Sequence, residues 1–256
     1  MKISLVIITY NEENNIARCL ESVKNIADEI VLIDSYSIDK TVEIARTYGA
    51  VVFYHKFNDF GEQKAFAIKQ ATYDWILSVD ADEVLSPELQ QSILKAKSDP
   101  HYDGYNVNIL TNYCGKWIRH CGWYPQPKLR FFNKNKYRFN TNKVHEGIVT
   151  SDSRAKISSL QGNLLHYSYK TISDHTKKIE LYSELAAINA IDKGERISLL
   201  KILFGPPWKF FYHYILRLGF LDGYIGYVIC KNIAYSGFIK YIKIKLYSKE
   251  WALKNS

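Results

Sequence analysis

Cysteine is scarce: Cys19, Cys114, Cys121 and Cys230 are the four in 256 residues, with no C-x-x-C pair and no His-rich zinc spacing. This argues against a disulfide framework or a structural metal and fits a reducing compartment. Glycine-rich phosphate loops are also missing, since neither G-x-x-x-x-G-K-[ST] nor G-x-G-x-x-G occurs. Phosphate charge would therefore have to be met by a cation and by basic side chains such as Lys64. No clean apolar run of membrane-crossing length is present. The most apolar C-terminal stretch, His213 to Cys230, is broken by Arg217, Asp222 and three glycines, short of the roughly 20 apolar residues a span requires. The run after Lys2 ends at Ile8 and passes into Thr9-Tyr10-Asn11-Glu12 without a small-residue cleavage site, so it reads as a strand and not as a signal peptide.

What is present suits a folded chain. With 47% hydrophobic and 23% charged residues and only 13 Gly and 6 Pro, disorder and collagen-like repeats are excluded. Charge is unevenly spread. Residues 1–100 hold 10 Lys and Arg against 16 Asp and Glu, residues 101–200 hold 15 against 8, and residues 201–256 hold 9 against 2. The last block also carries 14 of the 37 aromatics. An acidic front with a basic, aromatic back suits an anionic surface with an apolar interior, of which a membrane is the obvious example.

The first hundred residues alternate strand and helix signals. Lys2 to Thr9 is a nearly continuous β-branched run, as in a parallel strand buried on both faces, and Asn11 with Glu12 and Glu13 resembles a helix cap with an acidic first turn. Glu29 to Asp34 is a second strand, followed by a helix that Gly49 ends. Ala50 to Tyr54 and Trp75 to Val79 are the third and fourth, with a helix from about Glu62 to Ala71 between them. Ser86-Pro87-Glu88 opens a further helix with a capping Ser and Pro at the first helical position. Four such repeats predict an α/β fold with a doubly wound, mostly parallel sheet, whose ligands sit beyond the carboxyl ends of the strands. Those ends carry Thr9, Tyr10 and Asn11, then Asp34, then Asp80 and Asp82.

Asp80 and Asp82 leave an apolar strand with one residue between them. A turn can aim both carboxylates into one crevice, where a cation such as Mg²⁺ or Mn²⁺ would relieve their repulsion; a solvated acidic turn is the plain alternative. Asp34 either accepts hydrogen bonds from the turn Ser35 to Asp39 or receives a base imide or ribose hydroxyl. Arg130 offers a planar fork for phosphate or serves as an ordinary strand Arg. Trp117, Trp123 and Tyr124 can stack on a sugar ring or fill a core.

Ile3 to Asn15 (I-S-L-V-I-I-T-Y-N-E-E-N-N), Ile33-Asp34-Ser35 with Thr41 beyond, Gly61-Glu-Gln-Lys-Ala65 and Ser78-Val-Asp-Ala-Asp-Glu83 together resemble the family 2 glycosyltransferases of GT-A fold. The second half, with Arg130-Phe-Phe, Val144-His-Glu-Gly147 and the aromatic tail, resembles the core β-1,4-glucosyltransferases that build bacterial lipopolysaccharide. The resemblance implies inverting transfer of a sugar, glucose favoured, from a UDP-sugar with Mg²⁺ or Mn²⁺ on the diphosphate. It places Thr9, Tyr10, Asn11 and Glu12 around the nucleoside, Asp34 on the base, Lys64 near the nucleotide, Asp80 on ribose or metal and Asp82 on metal. His166 would be a third metal ligand, or else a satisfied core or loop histidine. The Glu-Asp or Asp-Asp pair from which many such enzymes draw their base is missing after Glu83. Glu146, the sole acid between Asp103 and Asp152, is the candidate base; a surface Glu paired with His145 or Lys143 is the alternative.

From Gly104 to Tyr169, strand-like runs separated by turns predict an antiparallel, acceptor-side extension, and Ser173 to Lys193 a helix stopped by Gly194. The expected organisation is a catalytic domain over 1–170 and a helical, membrane-surface region over 171–256. Leu199 to Tyr212 and Phe238 to Tyr247 interleave aromatics with lysines, as in segments that lie in a headgroup layer. The partners expected are thus a nucleotide-sugar, a glycolipid acceptor and the cytoplasmic face of the membrane. A nucleotidyltransferase lacks its Gly-rich, Arg-bearing loop here, and the acidic front half argues against nucleic acid. A non-catalytic membrane adaptor is the reading from another class.

Overall fold

The structure is a computed structural model that describes residues 1–139, 147–150 and 152–254. In chain order its elements are β1 (Ile3–Thr9), α1 (Ile16–Val23), β2 (Glu29–Asp34), α2 (Thr41–Thr47), β3 (Val51–Tyr54), α3 (Phe60–Gln70), β4 (Trp75–Ser78), β5 (Glu83–Leu85) and α4 (Pro87–Ser98). Next come β6 (Gly104–Tyr113), β7 (Lys116–Trp117), β8 (Pro127–Asn133), β9 (Tyr137–Phe139), β10 (Ile148–Thr150), β11 (Ile157–Tyr169), α5 (Ile172–Asp192), α6 (Leu199–Phe211) and α7 (Gly223–Lys254).

Two compact units divide the chain. Met1–Leu110 with Gln126–His166 forms the first, and Thr111–Pro125 with Tyr167–Ser256 the second. Segment 111–125, with the end of β6 and β7, groups with the second unit.

In the first unit the sheet runs β3-β2-β1-β4 and continues β8-β6-β11-β5. The four leading strands are parallel, while β8 joins β4 antiparallel and β5 joins β11 antiparallel. This is the α/β sheet with an antiparallel extension that the alternation predicts. Both faces of β1 are covered, which is why its sequence is apolar throughout. Ile3, Leu5 and Ile7 pack with Ile16, Cys19, Leu20 and Val23 of α1 on one side, whereas Val6 joins Ile33, Ala67 and Phe132 on the other. The buried positions of α1 recur at the i, i+3, i+4, i+7 spacing that a one-sided helix needs.

Two local devices fix α4 against β11. Ser86 caps α4 by accepting from Leu89 N at 3.3 Å, and it also receives Asn163 N of β11 at 3.1 Å. Gly162 on β11 has φ +90, and a Cβ there would lie 2.3 Å from Leu89 N, so only glycine admits this approach. The expected cap at Asn11 is displaced. Asn11 is left-handed (φ 55), its carbonyl oxygen Oδ1 accepts Ile38 N, and α1 starts one turn later behind Asn15.

The second unit packs α5 and α6 on α7, with two apolar clusters. One gathers Tyr113, Ile118, Cys121, Ile225, Ile229 and Cys230, and the other Ala187, Ala190, Ile197, Ile202 and Ile244. Thr171 and Asp174 form a reciprocal capping box at the start of α5.

Candidate active site

Strand register sets the site. Thr9 pairs with Asp34 and Asp34 with Tyr54, so β1, β2 and β3 end level with one another. Five hydrogen bonds tie the loops beyond the first two strands together. Asn11 N donates to Ser37 Oγ (2.9 Å), Ile38 N to Asn11 Oδ1 (2.9 Å), Glu12 N to Thr41 Oγ1 (2.7 Å), Glu13 N to Asp39 Oδ2 (3.1 Å) and Lys40 N to Glu13 Oε2 (3.1 Å). Asp34 is fully buried, and both its carboxylate oxygens accept Ser37 N, at 3.0 and 3.1 Å. It holds the turn in the ordinary way considered from sequence. Thr9 Oγ1 is buried with no hydrogen-bond partner among the described residues, while the Tyr10 ring is 60% exposed at the same edge.

At the end of β4 the carboxylates meet cations. Lys64 of α3 reaches Asp80 Oδ1 at 2.7 Å, and the Arg130 guanidinium of β8 donates to Asp80 Oδ2 at 3.1 Å and to Glu83 Oε1 at 2.7 Å. Antiparallel pairing of Leu77 with Phe131 brings Arg130 to this end of the strand. Glu83 also accepts Asp80 N at 2.8 Å, which closes the turn. Asp82 lies 3.1 Å from His166 Nε2, because β11 sets His166 opposite Glu83.

Electrostatics derive from these contacts. Burial opposes ionisation of Asp80, but Lys64 and then Arg130 outweigh it and hold the carboxyl far below the usual range. Burial pushes Glu83 upward, with Arg130 acting against it and Asp80 with it. For His166, burial favours the neutral ring, yet the bond to Asp82 prevails and raises its pKa. The Cys19 thiol, which points at Asp80 O, is pushed well up by burial and by the nearby carboxylates, so it is no nucleophile.

The sequence thus brings together Lys64, Asp80, Asp82, Arg130 and His166, and it misses Glu83 as the anchor of Arg130. Glu83 stands beside the D-x-D in sequence, but its partner is 47 residues away, and nothing local signals the pair. Glu146, with Lys143 and His145, lies outside the described residues. Trp117, Trp123 and Tyr124 belong to the second unit. There Trp123 stacks on Tyr169 (centroids 5.6 Å apart), Trp117 meets the Tyr167 ring edge-on at 5.1 Å, and the Arg119 guanidinium lies 5.6 Å from the centre of the Tyr124 ring.

No group of three His, Cys, Asp or Glu among the described residues could by itself hold a metal ion. The two Asp80 oxygens face Lys64 and Arg130. Asp82 and His166 remain suitable. Asp82 offers a carboxylate oxygen of the kind a hard divalent cation takes, and His166 Nε2 stands 3.1 Å from it as a hydrogen-bond partner. Magnesium ordinarily takes few protein carboxylates, with phosphate and water completing its shell. Charge points the same way. Asp80, Asp82 and Glu83 are set against Lys64, Arg130 and His166, so these cations are already matched by carboxylates.

Residues 4–153 match the family model described as Glycosyl transferase family 2. An uncharacterized glycosyltransferase of Rickettsia typhi is 34% identical over 253 residues, covering 95% of this chain and 87% of its own. The chain belongs to glycosyltransferase family 2. Its first unit has the GT-A fold, with Asp80 and Asp82 just beyond the end of β4. Among other relatives in the family, the lipopolysaccharide core biosynthesis glycosyltransferase LpsC of Rhizobium meliloti is 31% identical over 231 residues, 87% of this chain and 82% of its own. A crystal structure of S. aureus TarS 1–349 aligns over 94% of this chain and 90% of that one, at 15% identity and a TM-score of 0.49.

Proposed function

We propose that this family 2 glycosyltransferase transfers a hexose, glucose favoured, with inversion from a UDP-sugar to a lipopolysaccharide core or related glycolipid at the cytoplasmic face of the membrane. The convergence of Asp82 and His166 beside the Lys64-Asp80-Arg130 cluster carries the donor half of this reading. The LpsC relative, named for lipopolysaccharide core biosynthesis, supports the acceptor half.

Inversion requires an acceptor hydroxyl to attack the anomeric carbon opposite the diphosphate. As the new C–O bond forms, the bond to the diphosphate breaks and its electron pair leaves with that group. The hydroxyl proton passes to a carboxylate, a role we assign to Glu146. Asp82 and His166 would hold the divalent cation, which supplies charge neutralisation to the leaving diphosphate. Asp80, held ionised by its two cations, orients Lys64 and Arg130 toward the same edge. The level, interlocked loops after β1 and β2 form the nucleoside wall, with Thr9, Tyr10, Asn11 and Glu12 along it and Asp34 fixing the turn behind.

The test is a thermal-shift panel of UDP, GDP, CDP and ATP with and without Mn²⁺. A ligand at a hundred times its dissociation constant adds about 2.7 kcal/mol of stability, so UDP with Mn²⁺ should raise the melting temperature and the other nucleotides should not. Stabilisation by a different diphosphonucleoside would replace the donor. Equal shifts with and without Mn²⁺ would remove the metal, and no shift at all would remove the reading.

A further inference from the structure

We propose that the outer face of α6 is a docking surface for an anionic lipid bilayer. The glycolipid reading gives the chain a reason to visit a bilayer; the surface itself is read from the second unit alone.

Helix α6 is apolar on two sides and covered on one. Its inner side meets α7: Ile202 is buried with Ile244, and a Cβ on Gly205 would lie 2.8 Å from the Tyr241 ring. On the outer side Leu199, Leu200, Leu203, Phe204, Trp208 and Phe211 fall at helical spacing and are each 45–67% exposed. Further along the chain Leu216, Leu221 and Tyr224 are also 54%, 55% and 80% exposed. Contiguous apolar surface of this kind marks an interaction site and not ordinary solvent exposure.

Charge selects the occupant. Between residues 199 and 248 the chain has Lys201, Lys209, Arg217, Lys231, Lys240, Lys243 and Lys245, and its one acid is Asp222. Asp222 is buried, accepting His120 N at 2.9 Å and bonded to the His120 ring at 3.1 Å. Of these cations Lys201, Arg217 and Lys231 are exposed while no acid between 199 and 248 is, so the apolar and aromatic band lies in a segment whose exposed charge is positive, as in amphipathic helices on anionic lipid. Trp208 and Tyr224 are the residue types that settle at headgroup depth. No helix among the described residues is long and apolar enough to cross a membrane.

The structure also separates the two segments that look alike in sequence. Around Phe238 to Tyr247, Ile244 is fully buried against α5 and α6, and Lys243 pairs with Glu180 (2.8 Å) and Glu184 (2.9 Å) of α5. That segment spends its apolar face inside the unit, whereas α6 leaves one uncovered.

The full chain should sediment with phosphatidylglycerol–phosphatidylethanolamine vesicles and poorly with pure phosphatidylcholine. The variant Leu203→Glu/Phe204→Glu/Trp208→Glu should lose about tenfold or more of that binding, with its melting temperature unchanged because all three side chains point outward. Undiminished binding by this variant overturns the proposal, and equal binding to phosphatidylcholine overturns the anionic bilayer as partner. A dimer in light scattering that the variant makes monomeric assigns the face to a second copy. If UDP with Mn²⁺ fails to stabilise the wild type while vesicle binding persists, the donor reading falls and the docking surface stands. The opposite pattern removes only the surface.

Discussion

Arg130 is the cation on which the carboxyl end of β4 turns, so Arg130→Met is the sharpest perturbation of the site. Methionine keeps the length and removes the charge. Glu83, fully buried, loses its 2.7 Å partner, and Asp80 keeps only Lys64. Removing one member of a buried ion pair costs about 3–5 kcal/mol, because the other charge stays buried without compensation. Glu83 can escape part of that cost by taking a proton, which burial already favours, so about 3 kcal/mol is expected. That is a large share of the roughly 5–15 kcal/mol of an ordinary domain. Urea unfolding near neutral pH measures it. Adding Glu83→Gln should restore at least about half of the loss, a coupling that additive, independent sites would not show. The deficit should also shrink as pH falls, since a carboxyl raised in the folded state gains a proton there before the unfolded chain does. An Arg130→Met cost under about 1 kcal/mol, or strict additivity with Glu83→Gln, would refute the network as the organiser of this edge.

Asp82→Asn should abolish the Mn²⁺-dependent UDP shift and turnover. Asn keeps an oxygen that can accept from His166 in this pair, so the fold should persist; wild-type rates in this variant would sink the assignment. Glu146→Gln should lower kcat about a hundredfold or more with donor affinity kept, read from initial rates and the UDP shift. His175 Nδ1 lies 3.1 Å from Tyr113 OH and 3.0 Å from Asn232 Nδ2, and burial, then Lys178, push its pKa down to about 4. An unfolded His titrates near 6.5. The fold is therefore at full strength above neutrality and loses roughly 3 kcal/mol as pH falls from about 6.5 to 4; an acid slope in urea melts that survives His175→Gln counts against this. Gly162→Ala should cost about 3 kcal/mol or more, from positive φ and a collision with the α4 backbone together; a melting temperature unchanged by the substitution would contradict that packing.

The legible parts of the chain are those in which one local rule acts alone. The strand Glu29–Asp34 and the Ser86-Pro87 start of α4 are dictated by β-branched runs and cap chemistry, and the carboxylates of β4 by their place at a strand end. Asn11 misled because it carries a cap's side chain in a left-handed turn, where its amide serves the neighbouring loop. The Arg130–Glu83 pair was illegible for a different reason. It depends on an antiparallel register across the sheet, and pairing over 47 positions leaves no local period to read. Likewise the aromatic-lysine rhythm is shared by α6 and the end of α7; only packing tells which of them is covered.

The stitching of the loop after β1 to the loop after β2 bears on how tightly a donor could be held. Two separate loops would each lose conformational freedom on meeting a nucleoside, at about 1–2 kcal/mol per residue fixed. Here five hydrogen bonds join positions 26 to 29 residues apart, so much of that freedom is already gone in the free protein. Side chains such as Ser37, Asp39 and Thr41 would then govern affinity without touching the ligand, by keeping the empty wall in the shape of the filled one.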